Sequence, residues 1–310
     1  MQIYQKDKKN NNTILVVIGP SASGKTNFSL NVAKFYNKNI ISADSRQIYK
    51  NLDYSTGKFP LNKIIKRRKH LWKIDKIKYY GYDVVKPNIE FSAYEFARFA
   101  NRIIKKEKGN LPIICGGSGL YINTLINNYD YKLLPPNWEI REILKKKSAE
   151  ELLKILKDKG YDINLLNNSE KFNRQRLIRR IETFKVNNKL KSIGEEKYRS
   201  KYTYLIVGIE KEDYNQAINN WINTNFENAK REVMWVLKKY PKSPVLNGFI
   251  FAEMKDLIEG KLTESETKEK IFFEYKHYIK RQKTYFKKYF KGTIWFSDKA
   301  KAFEYIINTL

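Results

Sequence analysis

A glycine-rich loop between an apolar segment and an amphipathic one constrains the fold more than any other sequence feature. The loop, residues 19–26, reads GPSASGKT and matches the pattern G-x-x-x-x-G-K-[ST]. Residues 14–18 before it are apolar and mostly β-branched, which is typical of a strand covered on both faces. The residues after it have the mixed polarity of a helix. This context predicts a polyphosphate-binding loop at a strand-to-helix turn, without identifying the compound bound.

The side chains of this loop indicate how a phosphate would be held. Backbone N–H groups and the helix N-terminus would surround the phosphate, and Lys25 would add a positive charge. The hydroxyl of Thr26 is a candidate ligand for Mg²⁺. The predicted phosphate-binding residues are Gly19, Pro20, Ser21, Ala22, Ser23, Gly24, Lys25 and Thr26.

Composition limits the class of protein. The 310 residues are enough for a large core and two structural units. The chain has one cysteine and two histidines, and no apolar run reaches the roughly 18 residues of a membrane span. Its first residues are polar and rich in lysine. We therefore expect a cytoplasmic monomer without a membrane span, a secretion signal, a disulfide framework or a Cys- or His-based metal site.

The net charge of +28 comes from 61 Lys and Arg residues against 33 Asp and Glu residues. An excess of this size favours a polyanionic partner, with nucleic acid first. A genome rich in A and T is the alternative explanation, because the chain is also rich in Asn, Ile and Tyr.

Strand and helix patterns alternate in the first third of the chain, which predicts an α/β fold with a parallel sheet flanked by helices. Residues 1–126 would form the first part of this core, and the basic stretch 63–78 within it would be a surface segment. Charged helical patterns replace the strand patterns over 127–201, which we interpret as a helical insertion domain. Residues 202–310 would complete the core and add C-terminal helices.

Two further segments are expected beside the phosphate loop, because ligands of open α/β sheets bind at the carboxyl ends of the strands. Asp44 directly follows the predicted strand 39–43 and is a candidate general base or metal-orienting acid; a helix cap or a turn carboxylate is the alternative. The glycine loop 116–119 follows the strand 111–115 and carries Ser118, whose hydroxyl would lie near the phosphates; a bare strand-to-helix turn is the alternative.

The end of the strand 111–115 carries no acidic residue. A motor ATPase or a switch GTPase would ordinarily place a magnesium-orienting aspartate on such a strand. Its absence favours a kinase-like enzyme or a transferase that holds a phosphorylated donor.

Two basic segments lie in the later part of the chain. Arg176, Arg179 and Arg180 share one face of a predicted helix, and residues 280–288 mix lysine and arginine with aromatic rings. Both segments suit contacts with a phosphate backbone and stacking on unpaired bases. A solvated helix face explains either segment almost as well.

Several of these motifs together resemble the tRNA dimethylallyltransferase family, also called the tRNA isopentenyltransferase family. The phosphate loop alone is shared by many enzymes. The stretch ISADSRQIY at 41–49 joined to LPIICGGSGLY at 111–121 is far more specific. Weaker matches continue in the family's order, so the resemblance spans nearly the whole chain; they lie at 53–60, 82–87, 173–182 and 280–284.

The resemblance implies a P-loop NTPase-like sheet and a defined reaction. A dimethylallyl group would move from dimethylallyl diphosphate to the exocyclic amine of the adenosine 3′ of the anticodon, in tRNAs that read codons beginning with U. Mg²⁺ and the phosphate loop would hold the diphosphate, with Ser21, Lys25 and Ser118 at the catalytic centre, and Asp44 would accept the proton of the amine. The residues expected to contact the anticodon stem-loop are Asp44, Ser45, Arg46, Gln47, Ser118, Gln175, Arg176, Leu177, Ile178, Arg179, Lys280, Arg281, Gln282, Lys283, Thr284, Tyr285 and Phe286.

The chain departs from the family pattern in one functional respect. The family carries arginines after the strand that ends at Ile209, one of them on the diphosphate, whereas residues 214–221 contain none. Lys211 and Lys230 are candidate substitutes. Two alternatives therefore stay open: a P-loop kinase that phosphorylates a small metabolite, and a tRNA-binding homologue with reduced activity.

Overall fold

A computed structural model describes residues 12–58, 65–68, 71–127, 136–190 and 201–310 of the protein. The chain divides into two compact units, which are described separately. The first unit comprises Met1–Asn127 and Ser200–Leu310, and the second comprises Asn128–Arg199.

Strands and helices alternate through the first unit in the described residues. Its strands are β1 (Thr13–Ile18), β2 (Ile40–Ser42), β3 (Ile65–Arg68), β4 (Leu71–Ile74), β5 (Ile77–Tyr80), β6 (Ile113–Gly116), β7 (Thr203–Ile209) and β8 (Ile294–Phe296). Its helices are α1 (Lys25–Phe35), α2 (Ala93–Lys106), α3 (Gly119–Ile126), α8 (Asn215–Lys239), α9 (Phe251–Ile258), α10 (Glu264–Tyr289) and α11 (Lys299–Thr309). The second unit contains α4 (Trp138–Leu144), α5 (Ala149–Asp158), α6 (Asn168–Lys171) and α7 (Arg174–Leu190).

One sheet with the strand order β3-β4-β5-β2-β6-β1-β7-β8 organises the first unit. Strand β1 lies between β6 and β7, with Val17 opposite Cys115 on one side and opposite Val207 on the other. Seven of the eight strands in the described residues run in one direction, and β4, which lies between β3 and β5, runs in the opposite direction. The carboxyl ends of β1, β2 and β6 therefore lie at the same edge of the sheet. The predicted α/β fold class is confirmed.

The side chains of β1 alternate between two cores, because successive residues of a strand face opposite sides of the sheet. Ile14, Val16 and Ile18 pack with α2, α3 and the end of α10. Leu15 and Val17 pack with α1 and α11 on the other face. A third core joins α8, α9 and α10. Burial on both faces explains why the β1 segment is apolar throughout.

The basic stretch 63–78 was expected to be a surface segment, and this prediction is only partly right for its described residues. They form β3, β4 and the start of β5, and Trp72, Ile74 and Ile77 are buried while the lysines between them are exposed. Asp75 and Lys76 form the turn between β4 and β5 with φ values of 48° and 73°. This left-handed turn lacks the Asn-Gly or Asp-Gly signature of a hairpin, so the alternation alone had to reveal the strands.

The helical unit has a small core of its own. Leu152 and Leu156 of α5 pack against Leu177 and Ile181 of α7. Capping boxes at Ser148 and Asn167 fix the starts of α5 and α6, since each side chain accepts a hydrogen bond from a backbone N–H three residues on. Throughout the described residues, no helix is both long and apolar enough to cross a membrane.

Candidate functional site

Three loops meet at the carboxyl edge of the sheet, as the strand order requires. They are the phosphate loop after β1, the segment 44–47 after β2 and the glycine loop after β6. The N–H of Ala43 donates to the carbonyl of Cys115 at 2.7 Å, and the N–H of Ser118 donates to the carbonyl of Ala43 at 3.1 Å. A Cβ at Gly116 would lie 2.0 Å from the Ala43 oxygen, so only glycine permits this approach.

The phosphate loop has the backbone of an anion site. Gly24 caps α1 in the left-handed region with φ 84°, and no side chain caps the helix. The N–H groups of its first turn are therefore not bound by a cap, and they coincide with the positive end of the helix dipole. Ala22 has φ 64°, which bends the loop.

Lys25 is buried beneath this loop, with 8% of its surface exposed. Its ammonium donates to the carbonyl of Pro20 at 3.1 Å. Burial lowers the pKa of Lys25, and Cys115 and Asp44 partly offset this effect. A buried cation that hydrogen-bonds only a neutral carbonyl in the described structure would gain free energy from a bound anion, which supports a phosphate at this position.

Asp44 forms a tight turn at the end of β2 and is 8% exposed. Its Oδ1 accepts hydrogen bonds from the backbone N–H groups of Arg46 at 2.9 Å and Gln47 at 3.4 Å. Within the described residues, Oδ2 accepts no hydrogen bond. The turn therefore fixes the carboxylate through one oxygen and leaves the other able to accept a proton.

Ser118 lies beside this turn. Its hydroxyl oxygen accepts from the N–H of Ser45 at 2.8 Å, and the hydroxyl donates to the Ser45 Oγ at 3.0 Å. In this arrangement Ser118 joins the glycine loop to the Asp44 turn. The sequence placed its hydroxyl near the phosphates and did not indicate this partner.

Gln282 of α10 joins the phosphate loop to the glycine loop. Its Oε1 accepts from the N–H of Ser21 at 2.8 Å, and its Nε2 donates to the carbonyl of Gly117 at 2.9 Å. The side chain is 6% exposed. Both loops are thereby held to a helix that lies more than 160 residues later in the chain.

Aromatic rings enclose Arg46 next to the Asp44 turn. The guanidinium lies 4.1 Å from the centre of the Phe249 ring and 4.9 Å from that of Tyr278, and it donates to the Phe249 carbonyl at 2.9 Å. Burial, followed by the charge of Asp44, raises the pKa of Tyr278 to about 12. Ile250 beside Phe249 has φ 74°, a conformation that is strained for a β-branched residue.

Comparison with known proteins identifies the family. The family model described as IPP transferase matches residues 47–289. The chain belongs to the IPP transferase family. The resemblance that the sequence motifs indicated is therefore confirmed.

Relatives within the IPP transferase family cover most of the chain. A protein named tRNA dimethylallyltransferase from Pediococcus pentosaceus is 33% identical, with 88% of this chain and 87% of the relative covered. A protein of the same name from Acetivibrio thermocellus is also 33% identical, with 96% of each covered.

Solved structures of family members share the fold. The tRNA isopentenylpyrophosphate transferase of Staphylococcus epidermidis has a TM-score of 0.65 and 27% identity, with 96% and 97% of the two chains covered. A eukaryotic dimethylallyltransferase described as acting on tRNA has a TM-score of 0.70 and 20% identity, with 89% of this chain and 70% of the other covered. At that identity the second structure supports the fold alone.

Six side chains that the family resemblance placed on the tRNA are buried in the structure, including Asp44 and Gln47 in the turn after β2. Leu177 and Ile178 belong to the core of the helical unit, and Gln282 and Phe286 share the inner face of α10. Contact of these residues with tRNA stays a prediction, and their burial does not favour contact through the side chains. Residues four apart on a helix share a face, and residues 282 and 286 therefore both lie on the buried face of α10.

The other predicted contacts differ in exposure. Arg176 is exposed, whereas Arg179 pairs with Glu182 at 3.0 Å and Arg180 pairs with Glu170 at 3.1 Å. The fully exposed side chains among the rest are Gln175, Lys280, Arg281 and Thr284. Lys283 and Tyr285 are half-buried, and Lys283 pairs with Glu210 at 3.2 Å.

A glutamate of α8 supports the site and was not predicted from the sequence. Glu232 accepts hydrogen bonds from the backbone N–H groups of Asp53, Tyr54 and Ser55 at 2.7, 3.0 and 2.9 Å. The carbonyl of Gly57 in the same loop accepts from Nε2 of Gln47 at 2.9 Å. Nothing in the spacing of these residues could have revealed a pairing across some 180 positions.

The phosphate loop of this IPP transferase family member offers an oxygen ligand for a magnesium ion. The hydroxyl of Thr26 suits the preference of Mg²⁺ for oxygen, and Mg²⁺ takes its remaining ligands from phosphates and water. The described residues contain no group of three or more His, Cys, Asp or Glu side chains that could hold a metal alone. A magnesium ion here would depend on the diphosphate for much of its coordination.

Proposed function

We propose that the protein transfers a dimethylallyl group from dimethylallyl diphosphate to the exocyclic amine of the adenosine 3′ of the anticodon, in tRNAs that read codons beginning with U. The observation that carries this proposal is the junction of three loops: Gln282 ties the phosphate loop to the glycine loop, and Ser118 ties the glycine loop to the Asp44 turn. Relatives named tRNA dimethylallyltransferase at 33% identity support it.

The phosphate loop would bind the leaving group. Its N–H groups, the N-terminus of α1 and Lys25 would stabilise the negative charge that develops on the diphosphate as the carbon–oxygen bond breaks. A bound Mg²⁺ would neutralise part of the same charge, with Thr26 as its protein ligand. The hydroxyl of Ser21 would lie next to this group, because its backbone is fixed by Gln282.

Asp44 would act on the nucleophile. The exocyclic amine attacks the allylic carbon, a C–N bond forms and the C–O bond to the diphosphate breaks. The amine then carries an excess proton, and the free Oδ2 of Asp44 accepts it. The buried turn holds the carboxylate in place before the substrate arrives, which reduces the reorganisation that the reaction needs.

We assign the exposed basic side chains a role in tRNA binding. Arg176 with Gln175 on the helical unit, and Lys280 with Arg281 on α10, would contact phosphates of the anticodon stem-loop. The net charge of +28 supports such a partner. An unstacked adenosine of the anticodon loop can enter the site at low energetic cost. A cytoplasmic monomer stays our prediction.

The variant Asp44→Asn tests the chemical step. Asparagine keeps the side-chain oxygen that accepts from the backbone of residues 46 and 47, but it cannot accept a proton from the amine. General base catalysis contributes about 10²- to 10⁴-fold, so transfer of labelled dimethylallyl to tRNA should fall by that factor, while tRNA affinity stays within about twofold. Transfer at the wild-type rate would remove Asp44 from its role as base.

A further inference from the structure

Lys299, the first residue of α11, lies against the phosphate loop. Its ammonium nitrogen is 2.7 Å, and its Cε 3.1 Å, from the position that a Cβ would occupy at Gly24. A side chain at position 24 would require the end of the lysine to move. Because β8 runs parallel to β7 and β1, the N-terminus of α11 lies at the same edge of the sheet as that of α1.

The stability of the fold does not explain this lysine. A cation in the first turn of a helix opposes the helix dipole, at a cost of a few tenths of a kcal/mol or more. Asp298 caps α11 by accepting from the N–H groups of Ala300 and Lys301 at 2.7 and 3.4 Å. Among the described residues, Lys299 has no hydrogen-bond or ion-pair partner.

The side chain of Lys299 is accessible to solvent. Lys299 is exposed and lines a cavity of about 540 Å³ between α1 and α11, together with Asn27 and Asn31. The lining is mostly apolar and includes no residue of the phosphate loop, so the observations that favour an anion are the exposure of Lys299 and its closeness to Gly24.

The start of α8 supplies no cation for the diphosphate. Residues 214–221 hold no arginine. Lys230 of α8 cannot supply the charge, because it lies near Glu264 at the start of α10. Glu264 precedes Gln282 by 18 residues, or roughly 27 Å of helix at 1.5 Å per residue. Lys211 follows β7 and is the remaining alternative.

We propose that Lys299 binds the diphosphate at the phosphate loop and supplies the cation that the first turns of α8 lack. The inference rests on the proposed function in that the diphosphate belongs to the prenyl donor. Lys25 would contact the anion from beneath the loop and Lys299 from its outer side. Both charges would stabilise the leaving diphosphate.

Binding of inorganic pyrophosphate with Mg²⁺, measured by isothermal titration calorimetry, tests this proposal. We expect Lys299→Gln to weaken pyrophosphate binding about tenfold. This is the lower end of the range for the loss of a charge-assisted hydrogen bond, because water screens the charge of an exposed group. Lys299→Arg should recover most of the affinity. Raising the salt concentration should reduce the difference between wild type and Lys299→Gln.

Lys301→Gln is the matched control, since Lys301 is exposed on the same helix and carries the same charge. It should bind pyrophosphate as the wild type does. Equal binding by Lys299→Gln and wild type, or equal losses in Lys299→Gln and Lys301→Gln, would overturn the proposal. A loss confined to Lys211→Gln would overturn it as well and assign the charge to Lys211.

The pyrophosphate titration needs no tRNA, so it separates this inference from the proposed function. If pyrophosphate binding depends on Lys299 but no prenyl group reaches tRNA, the proposed function fails and the anion site stands. If transfer occurs and the KM for dimethylallyl diphosphate is unchanged in Lys299→Gln, the anion-site inference fails and the proposed function stands.

Discussion

Replacement of Gln282 by methionine tests whether the junction of the loops matters for catalysis. Methionine keeps the length of the side chain but removes both hydrogen bonds, those to Ser21 N–H and the Gly117 carbonyl. A polar group that is left unpaired on burial costs about 1–3 kcal/mol. If about 2–3 kcal/mol of this loss appears in the transition state, kcat/KM for dimethylallyl diphosphate falls roughly 30- to 150-fold.

The assay is steady-state transfer of labelled dimethylallyl to tRNA, with both KM values measured. The KM for tRNA should stay nearly constant in Gln282→Met, because the side chain is buried beneath the loops and does not face solvent. Gln282→Glu should bind the donor more weakly still, since a carboxylate has no proton for the Gly117 carbonyl and repels the diphosphate. His277→Gln, an exposed position on the same helix, is the control. A kcat/KM within twofold of wild type in Gln282→Met would refute the reasoning.

Two further predictions concern the helical unit. Arg176→Gln should weaken tRNA binding a few-fold and lower the magnitude of the slope of log K against log salt by about one. An unchanged slope in a filter-binding titration would show that Arg176 does not contact a phosphate. Burial by itself would raise the pKa of Glu182, but hydrogen bonds from Arg141 and Arg179 and their charges outweigh it and lower the pKa below 4.5. This pairing therefore stabilises the unit at neutral pH and is lost as the pH falls through the lowered pKa. Glu182→Gln should cost about 3 kcal/mol in urea unfolding at pH 7 and progressively less as the pH falls below 4.5, whereas a cost that does not change with pH would contradict the assignment.

Local patterns in the sequence were sufficient to predict most of the fold. The β1 segment is apolar along its whole length because helices cover both faces of the sheet. Ser92 and Glu95 lie three residues apart and form a capping box, and α2 begins directly after Ser92. These features depend only on near neighbours in the chain. The edge strands β3 to β5 were missed because their turn residues carry no hairpin signature.

Only those residues of the candidate site that belong to a sequence motif could be predicted. The three loops lie where parallel strands must end, so their meeting followed from topology. The roles of Gln282 and Glu232 did not follow from topology, because each depends on contacts with residues more than 160 positions away. The sequence of α10 also did not show that Phe286 lies on the buried face of the helix and not on its exposed basic face. Lys299 belongs to no motif, and only the packing of α11 beside α1 reveals it.

A donor that carries one label on the dimethylallyl carbon and another on the phosphates gives the most direct test. The protein is incubated with this donor, Mg²⁺ and unmodified tRNA, and the modified nucleoside and the released phosphates are quantified. The account predicts carbon label on the exocyclic amine of the adenosine 3′ of the anticodon, with one pyrophosphate released per group transferred. Tight tRNA binding without carbon transfer, or transfer of phosphate from ATP to a small metabolite instead, would contradict it.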